Sequence, residues 1–188
     1  MGCEVFLDLK YHDIPSTVAG AVKMAARLPS VRLVTLHTLG GTEMLEAAAQ
    51  AVPLAKARPK LLGVTVLTSH DAASLRRVGI SGPPGNRALK LAKLAKRAGL
   101  DGVVASAQEI RAIRRACGPK FLIVVPGIRP DTSAEDDQSR VATPADAIRA
   151  GADYLVIGRP ITGARDPRQG AIQIQQELIE VLASQSPR

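Results

Sequence analysis

The chain of 188 residues contains no tryptophan and few other aromatic residues. Phenylalanine and tyrosine occur twice each, so aromatic residues make up 2% of the sequence. Proteins that bind single-stranded nucleic acid without sequence preference stack bases on aromatic side chains, and this composition argues against that class. The formal net charge of +8 would suit a nucleic-acid partner, but the basic residues are scattered along the chain. We therefore predict no nucleic-acid partner, and we note that a small anionic substrate would also benefit from a positive field.

Cysteine is equally scarce, and long apolar segments are missing. Cys3 and Cys117 lie far apart in the sequence and form neither a metal-binding nor a redox motif, a pattern typical of free thiols in a reducing compartment. No apolar run is long enough to cross a bilayer, and the acidic, strand-like start does not resemble a signal peptide. These absences predict a cytoplasmic protein with no membrane association.

What is present is an alternation of strand and helix patterns along the whole chain. Six strand-like runs begin near Val5, Val31, Leu61, Gly102, Phe121 and Asp153, and helical patterns separate them. Among the predicted helices, one spans about residues 15–28, one begins at Thr143-Pro144 and the last covers roughly residues 171–183, and His70 is predicted to lie at a further helix start. Such alternation is typical of βα units around a parallel sheet. No linker divides the sequence, and its length and 46% hydrophobic content suit one domain with a substantial core. We predict a single α/β domain over residues 1–188, which is short for an eight-stranded barrel.

The segment from Asp8 to Thr17 carries the most chemical information. Residues 5–10 are predicted to form a strand, on which Asp8 and Lys10 share one face with Phe6. The opposite face is purely aliphatic and is predicted to pack against helices; it consists of Val5, Leu7 and Leu9. Opposite charges at a strand end are costly to bury, so they indicate either a structural ion pair or a functional site.

Asp13 follows where the next helix begins, close to a proline suited to a first helical turn. An ordinary helix N-cap role therefore competes with a chemical one. Because two carboxylates flank Lys10 in sequence, its side chain should be held as the ammonium ion. Such a group can stabilise a developing anion and then protonate it.

Further polar residues end the later strands, where βα barrels place their functional groups. They are His37, Thr68, Arg129 and Arg159. Gly158 and Arg159 form either a phosphate cradle or a simple turn. The polar loop of residues 129–140 is either a ligand lid or a solvated excursion. His37 could border the site, but a lone histidine is more often a hydrogen-bonded structural residue.

Five ordered motifs cover almost the whole chain. They are Asp8-x-Lys10-x-x-Asp13-Ile14-x-x-Thr17, residues 64–69 (VTVLTS), residues 126–130 (PGIRP), Asp137-Gln138-x-Arg140 and residues 153–162. Together they resemble the orotidine 5'-phosphate decarboxylase family. The resemblance implies a (β/α)8 TIM barrel, usually a homodimer with shared active sites. It also implies decarboxylation of orotidine 5'-phosphate to UMP, the last step of de novo pyrimidine biosynthesis, without metal or organic cofactor.

The resemblance also implies a role for each matching residue. Lys10 would stabilise the carbanion and donate the proton, and Asp8 would hold Lys10 beside the departing carboxylate. Asp13, Ile14 and Thr17 would reach the active site of the other subunit. Thr68 would contact the pyrimidine and Pro126 would line its pocket. The phosphate would be bound by Arg129, Gln138, Gly158 and Arg159.

One departure from the family pattern affects how the sequence is interpreted. The family has eight strands, and its first two βα units supply an aspartate that contacts the ribose and a second lysine of the charged array. Neither residue has a counterpart here, so we interpret the sequence as incomplete at its amino terminus or as a catalytically impaired chain. Two other functions remain open: a magnesium-dependent sugar-phosphate decarboxylase or synthase, and a non-catalytic nucleotide-binding subunit.

Overall fold

The computed structural model describes residues 3–53, 58–129 and 142–185. Within them, six parallel strands form one sheet in which each strand pairs with the next along the chain. The strands are β1 (Val5–Tyr11), β2 (Val31–His37), β3 (Lys60–Val64), β4 (Gly102–Val104), β5 (Leu122–Pro126) and β6 (Tyr154–Val156). Sequential parallel pairing with helices between the strands is the topology of a βα barrel, as the sequence predicted.

Helices connect the strands on the outer side of the sheet. They are α1 (Pro15–Ala25), α2 (Gly41–Ala51), α3 (Ala72–Arg77), α4 (Pro84–Arg97), α5 (Ile110–Cys117), α6 (Pro144–Ala150), α7 (Arg159–Thr162) and α8 (Pro167–Gln185). Short 3-10 turns precede α2 and α5 at Thr38–Gly40 and Ala107–Glu109. At α6, Thr143 caps the helix by accepting a bond from the Asp146 amide, and Gly151 ends it in a left-handed conformation.

The core has two layers, one on each face of the sheet. The larger cluster packs the outer strand residues against the helices and includes Val34, Leu61, Val103 and Ile123. The smaller cluster fills the inner face with Leu33, Leu62 and Val124. Adjacent residues of one strand, such as Leu61 and Leu62, therefore belong to different layers, which explains the nearly continuous apolar runs.

The structure differs from the sequence prediction at several helices. Of helix α3 only a start near His70 was predicted, without bounds, and the structure places the N-cap at Asp71: Asp71 accepts a bond from the Ser74 amide, and Ser74 accepts one from the Asp71 amide. Helix α1 ends at Ala25 rather than near residue 28, since the next residues form turns stabilised by backbone hydrogen bonds. Helix α8 is longer than the predicted span of residues 171–183.

The prediction of a helix-packed aliphatic face on β1 is only partly confirmed. Leu7 packs against the larger core cluster, but Val5 is 37% exposed and Leu9 is 57% exposed. In the described part of the chain β1 has a neighbouring strand on one side only. Val5 and Leu9 therefore lie at an edge of the sheet, where no further βα unit among the described residues covers them. No helix among the described residues is long and apolar enough to cross a membrane.

Candidate active site

A bulge in β1 places Asp8 and Lys10 at the carboxyl end of the strand. Leu7 pairs with Val34 and Tyr11 with Leu36, so three residues of β1 lie opposite the single residue Thr35 of β2. Lys10 has a φ of 50°, the left-handed region that few residues other than glycine adopt. The bulge redirects the lysine relative to a regular strand.

Asp8 and Lys10 form a close ion pair, as their spacing suggested. The Lys10 Nζ donates to Asp8 Oδ2 at 2.6 Å, and the two side chains are 37% and 43% exposed. Buried Thr35 joins the pair from the next strand: its hydroxyl donates to Asp8 Oδ1 at 2.8 Å and accepts from the Lys10 backbone amide at 2.9 Å. Thr35 was not among the predicted site residues, although a polar residue inside an apolar strand is a signal that could have revealed it.

A cavity of about 170 Å³ opens beside this pair on the inner face of the sheet. Four of the predicted site residues line it: Asp8, Lys10, Thr68 and Pro126. The remaining walls are apolar and come from Phe6, Val64, Val66, Leu67, Val104, Ala105 and Val156. The cavity therefore offers one ion pair within a mostly apolar surface, which suits a flat ring bearing one charged group.

A second cavity, of about 260 Å³, adjoins the first. Arg129, Gly158 and Arg159 line it, and Pro126 and Val156 are shared with the first cavity. Arg129 is buried, and its amide donates to the carbonyl of Ala142 across the described ends of the loop. Two arginines beside a glycine turn form a site suited to a phosphate group.

Three other predicted site residues do not line either cavity. Asp13, Ile14 and Thr17 are exposed at the start of α1, and Ile14 is 64% exposed. The N-cap position of α1 is Ile14 rather than Asp13, and the Asp13 carboxylate accepts from the Ile14 amide at 2.7 Å. Gln138 lies outside the described residues, as does most of the loop of residues 129–140.

His37 borders the charged pair, and among the described residues its buried Nδ1 has no hydrogen-bond partner. Burial, followed by the positive fields of His12 and Lys10, lowers the pKa of His37 below its ordinary value despite the opposing effect of Asp8. The His12 and His37 rings lie 5.5 Å apart. No group of three or more histidine, cysteine, aspartate or glutamate side chains in the described ranges could hold a metal ion.

The sheet, the ion pair and the arginine-lined cavity together are typical of the βα-barrel class, with the candidate site at the carboxyl ends of the strands. Comparison with known proteins identifies the family within this class. The model of the orotidine 5'-phosphate decarboxylase / HUMPS family matches residues 1–174. The chain belongs to this family.

Its relatives resemble it in sequence and in structure. An orotidine 5'-phosphate decarboxylase of Trichlorobacter lovleyi is 59% identical over 179 residues, covering 94% of this chain and 74% of that protein. One of Pelobacter propionicus is 57% identical over 180 residues, covering 95% and 75%. The crystal structure of orotidine 5'-phosphate decarboxylase from Lactobacillus acidophilus matches with a TM-score of 0.81 and 39% identity, covering 93% and 75% of the two chains. This chain thus spans about three quarters of the length of each.

Proposed function

We propose that this chain decarboxylates orotidine 5'-phosphate to UMP, the last step of de novo pyrimidine biosynthesis, without metal or organic cofactor. One observation carries the proposal: the cavity containing Lys10 and Asp8 shares Pro126 and Val156 with the cavity containing Arg129 and Arg159. A nucleotide could place its pyrimidine in the first cavity and its phosphate in the second. The relatives named as decarboxylases support the same reaction.

In the proposed reaction the bond between C6 of the pyrimidine and its carboxyl carbon breaks. Carbon dioxide leaves, and the electron pair remains on C6 as a carbanion. Lys10 stabilises this charge as the ammonium ion and transfers a proton from Nζ to C6. Water then reprotonates the amine. Asp8 holds Lys10 through their 2.6 Å contact and thereby fixes the proton donor beside the reacting carbon.

Substrate binding is assigned mainly to residues away from C6. Thr68 contacts the pyrimidine and Pro126 lines its pocket, while Arg129, Gln138, Gly158 and Arg159 bind the phosphate. Binding energy from the phosphate can position the ring and so contribute to catalysis at a remote atom. The two arginines lining the second cavity support this division of roles.

We assign Asp13, Ile14 and Thr17 to the active site of a second copy of the chain in a cytoplasmic homodimer. Their exposure at the start of α1 supports the assignment, because a side chain that serves a neighbouring subunit must be on the surface. Ile14 in particular is a large apolar residue with 64% of its surface exposed. Sedimentation of the purified chain would measure its oligomeric state.

The test is the loss of orotidine 5'-phosphate absorbance on adding the purified chain in the presence of a chelator. We expect turnover, and we expect Lys10→Ala to reduce kcat at least a thousandfold, on the order of an essential proton donor. The matched control is Lys60→Ala, since Lys60 also pairs with an aspartate, at 3.4 Å, but at the amino end of the sheet.

Three results would contradict the proposal in different ways. Normal turnover by Lys10→Ala would refute the role of the lysine. Activity that the chelator removes would support a metal-dependent sugar-phosphate enzyme of related sequence. Binding of UMP without turnover of orotidine 5'-phosphate would identify a nucleotide-binding protein instead.

A further inference from the structure

Thr35 connects to the charged pair through two hydrogen bonds. It is fully buried on β2, its hydroxyl donates to Asp8 Oδ1, and the backbone amide of Lys10 donates to the same hydroxyl. It also lies opposite the three-residue bulge that contains both charged residues. A single side chain therefore contacts the Asp8 carboxylate and the Lys10 backbone at once.

The directions of these hydrogen bonds are fixed by chemistry. A backbone amide can only donate, so the Thr35 oxygen must accept from Lys10 and its own proton must point to Asp8 Oδ1. That arrangement requires an unprotonated acceptor at Oδ1. The other carboxylate oxygen, Oδ2, is then presented to the Lys10 ammonium.

We infer that Thr35 is a positioning residue of the reaction: it holds Asp8 as an oriented carboxylate and fixes the left-handed backbone of Lys10, so that Nζ is aimed into the cavity. The inference rests on the proposed function. Without the hydroxyl, Asp8 loses one of the two side-chain partners that the described residues give it, and the Lys10 amide loses the acceptor that holds the bulge. Both changes would allow the Lys10 ammonium group to leave its position beside Asp8.

The chain offers a matched control in Thr65, which is also buried and directly follows β3. Its hydroxyl donates to the carbonyl of Val104 at 2.9 Å and does not contact the charged pair. Thr65→Val and Thr35→Val each remove one buried hydroxyl and replace it with a methyl group. Any difference in activity between them therefore reports on the contacts with Asp8 and Lys10.

The first measurement is steady-state kinetics of the full chain with orotidine 5'-phosphate. We expect Thr35→Val to lower kcat roughly tenfold or more, the range for a lost hydrogen bond to a charged group, with KM within about twofold. Thr35→Ser should restore kcat to within about threefold because it keeps the hydroxyl. Equal effects of Thr35→Val and Thr65→Val, or failure of Thr35→Ser to restore the rate, would overturn the inference.

The second measurement does not depend on turnover. Acetic anhydride labels exposed amines, and mass spectrometry gives the labelling rate of Lys10 relative to Lys60. We expect Thr35→Val to raise this ratio severalfold, while Thr65→Val and Thr35→Ser leave it unchanged. If Thr35→Val does not fold, the comparison of Thr35→Ala with Thr35→Ser decides the same point.

The two measurements separate the two proposals. A changed Lys10 labelling ratio in a chain that never decarboxylates its substrate would refute the proposed function and retain the role of Thr35 in holding the lysine. An active chain with an unchanged ratio in Thr35→Val would retain the proposed function and refute that role.

Discussion

At the scale of single residues, the candidate site contains a lysine in an unusual backbone conformation. Lys10 adopts a φ of 50°, and this is the one positive φ found among the described non-glycine residues. Strained conformations of this kind persist where surrounding contacts determine them, and they occur often at functional sites. Here the determining contacts are those with Asp8 and Thr35.

Arg159 gives a residue-scale prediction about substrate binding. Arg159→Ala should raise KM for orotidine 5'-phosphate roughly tenfold to a hundredfold, because a charge-assisted bond to phosphate is lost. The effect should fall mainly on substrate affinity, measured as KM together with the Kd of UMP by calorimetry. Arg149→Ala is the control, since Arg149 is 54% exposed in its pair with Asp146. Unchanged binding of UMP by Arg159→Ala would rule out a phosphate contact.

At the scale of elements, the amino ends of β3 and β4 are joined by Asp101. Its carboxylate accepts from the guanidinium of Arg58 at 2.7 Å and from the backbone amide of Leu61 at 2.9 Å. Burial by itself would raise the pKa of Asp101, but the bonds from Arg58 and Leu61 outweigh it and hold the pKa below its ordinary value of 3.8. The carboxylate thus contributes to stability as an anion.

Asp101→Asn should lower the free energy of unfolding by about 2 kcal/mol at neutral pH, because the ionic partner of Arg58 is lost. A lowered native pKa means that the contribution is present above the ordinary value of 3.8 and is lost as the pH falls through the native pKa. Urea unfolding of both proteins should therefore show a constant difference down to about pH 4, which shrinks at lower pH.

The control for this prediction is Asp146→Asn, which removes a mostly exposed carboxylate 3.6 Å from Arg149. It should change the free energy of unfolding by no more than about 0.5 kcal/mol. If Asp146→Asn lowered the free energy of unfolding as much as Asp101→Asn does, the change in net charge, and not the loss of the Asp101 contacts with Arg58 and Leu61, would explain the effect.

At the scale of the whole molecule, the described sheet has two edges that carry exposed apolar side chains. Leu9 of β1 is 57% exposed, and Tyr154 and Val156 of β6 are 48% and 38% exposed. A parallel sheet normally has both faces covered, and an unpaired edge with apolar residues favours pairing with other chains. The edges are thus the part of the molecule most prone to self-association.

Leu9→Lys should reduce the formation of large oligomers with little change in the free energy of unfolding, because a charge at a strand edge opposes pairing. Light scattering over a range of protein concentrations would measure the effect. Val78→Lys is the control: Val78 is 63% exposed, but it follows helix α3, away from the sheet edges. If both variants reduced oligomers equally, added charge and not the edge would explain the result.

Much of the fold was predictable because its signals are local. The apolar runs that begin near Val31 and Phe121 became buried strands, and the Thr143-Pro144 sequence marked a helix start that the structure confirms. The proximity of Asp8 and Lys10 was likewise predictable from their spacing, although the pair lies in a bulge and not on a regular strand. Helix α3 was indicated only by its start near His70 and not by its extent, because it has only six residues.

By itself, the sequence determined the parallel βα architecture and placed Asp8 and Lys10 together at a strand end, because both follow from periodicity or from spacing along the chain, and its motifs indicated the family by resemblance. Only the tertiary structure decided how those residues meet. The bulge opposite Thr35, the left-handed backbone of Lys10 and the adjoining cavities all depend on which residues of neighbouring strands pair. The bulge shifts that register locally, and its position depends on contacts between segments far apart in sequence, such as those of Thr35 with Asp8 and Lys10.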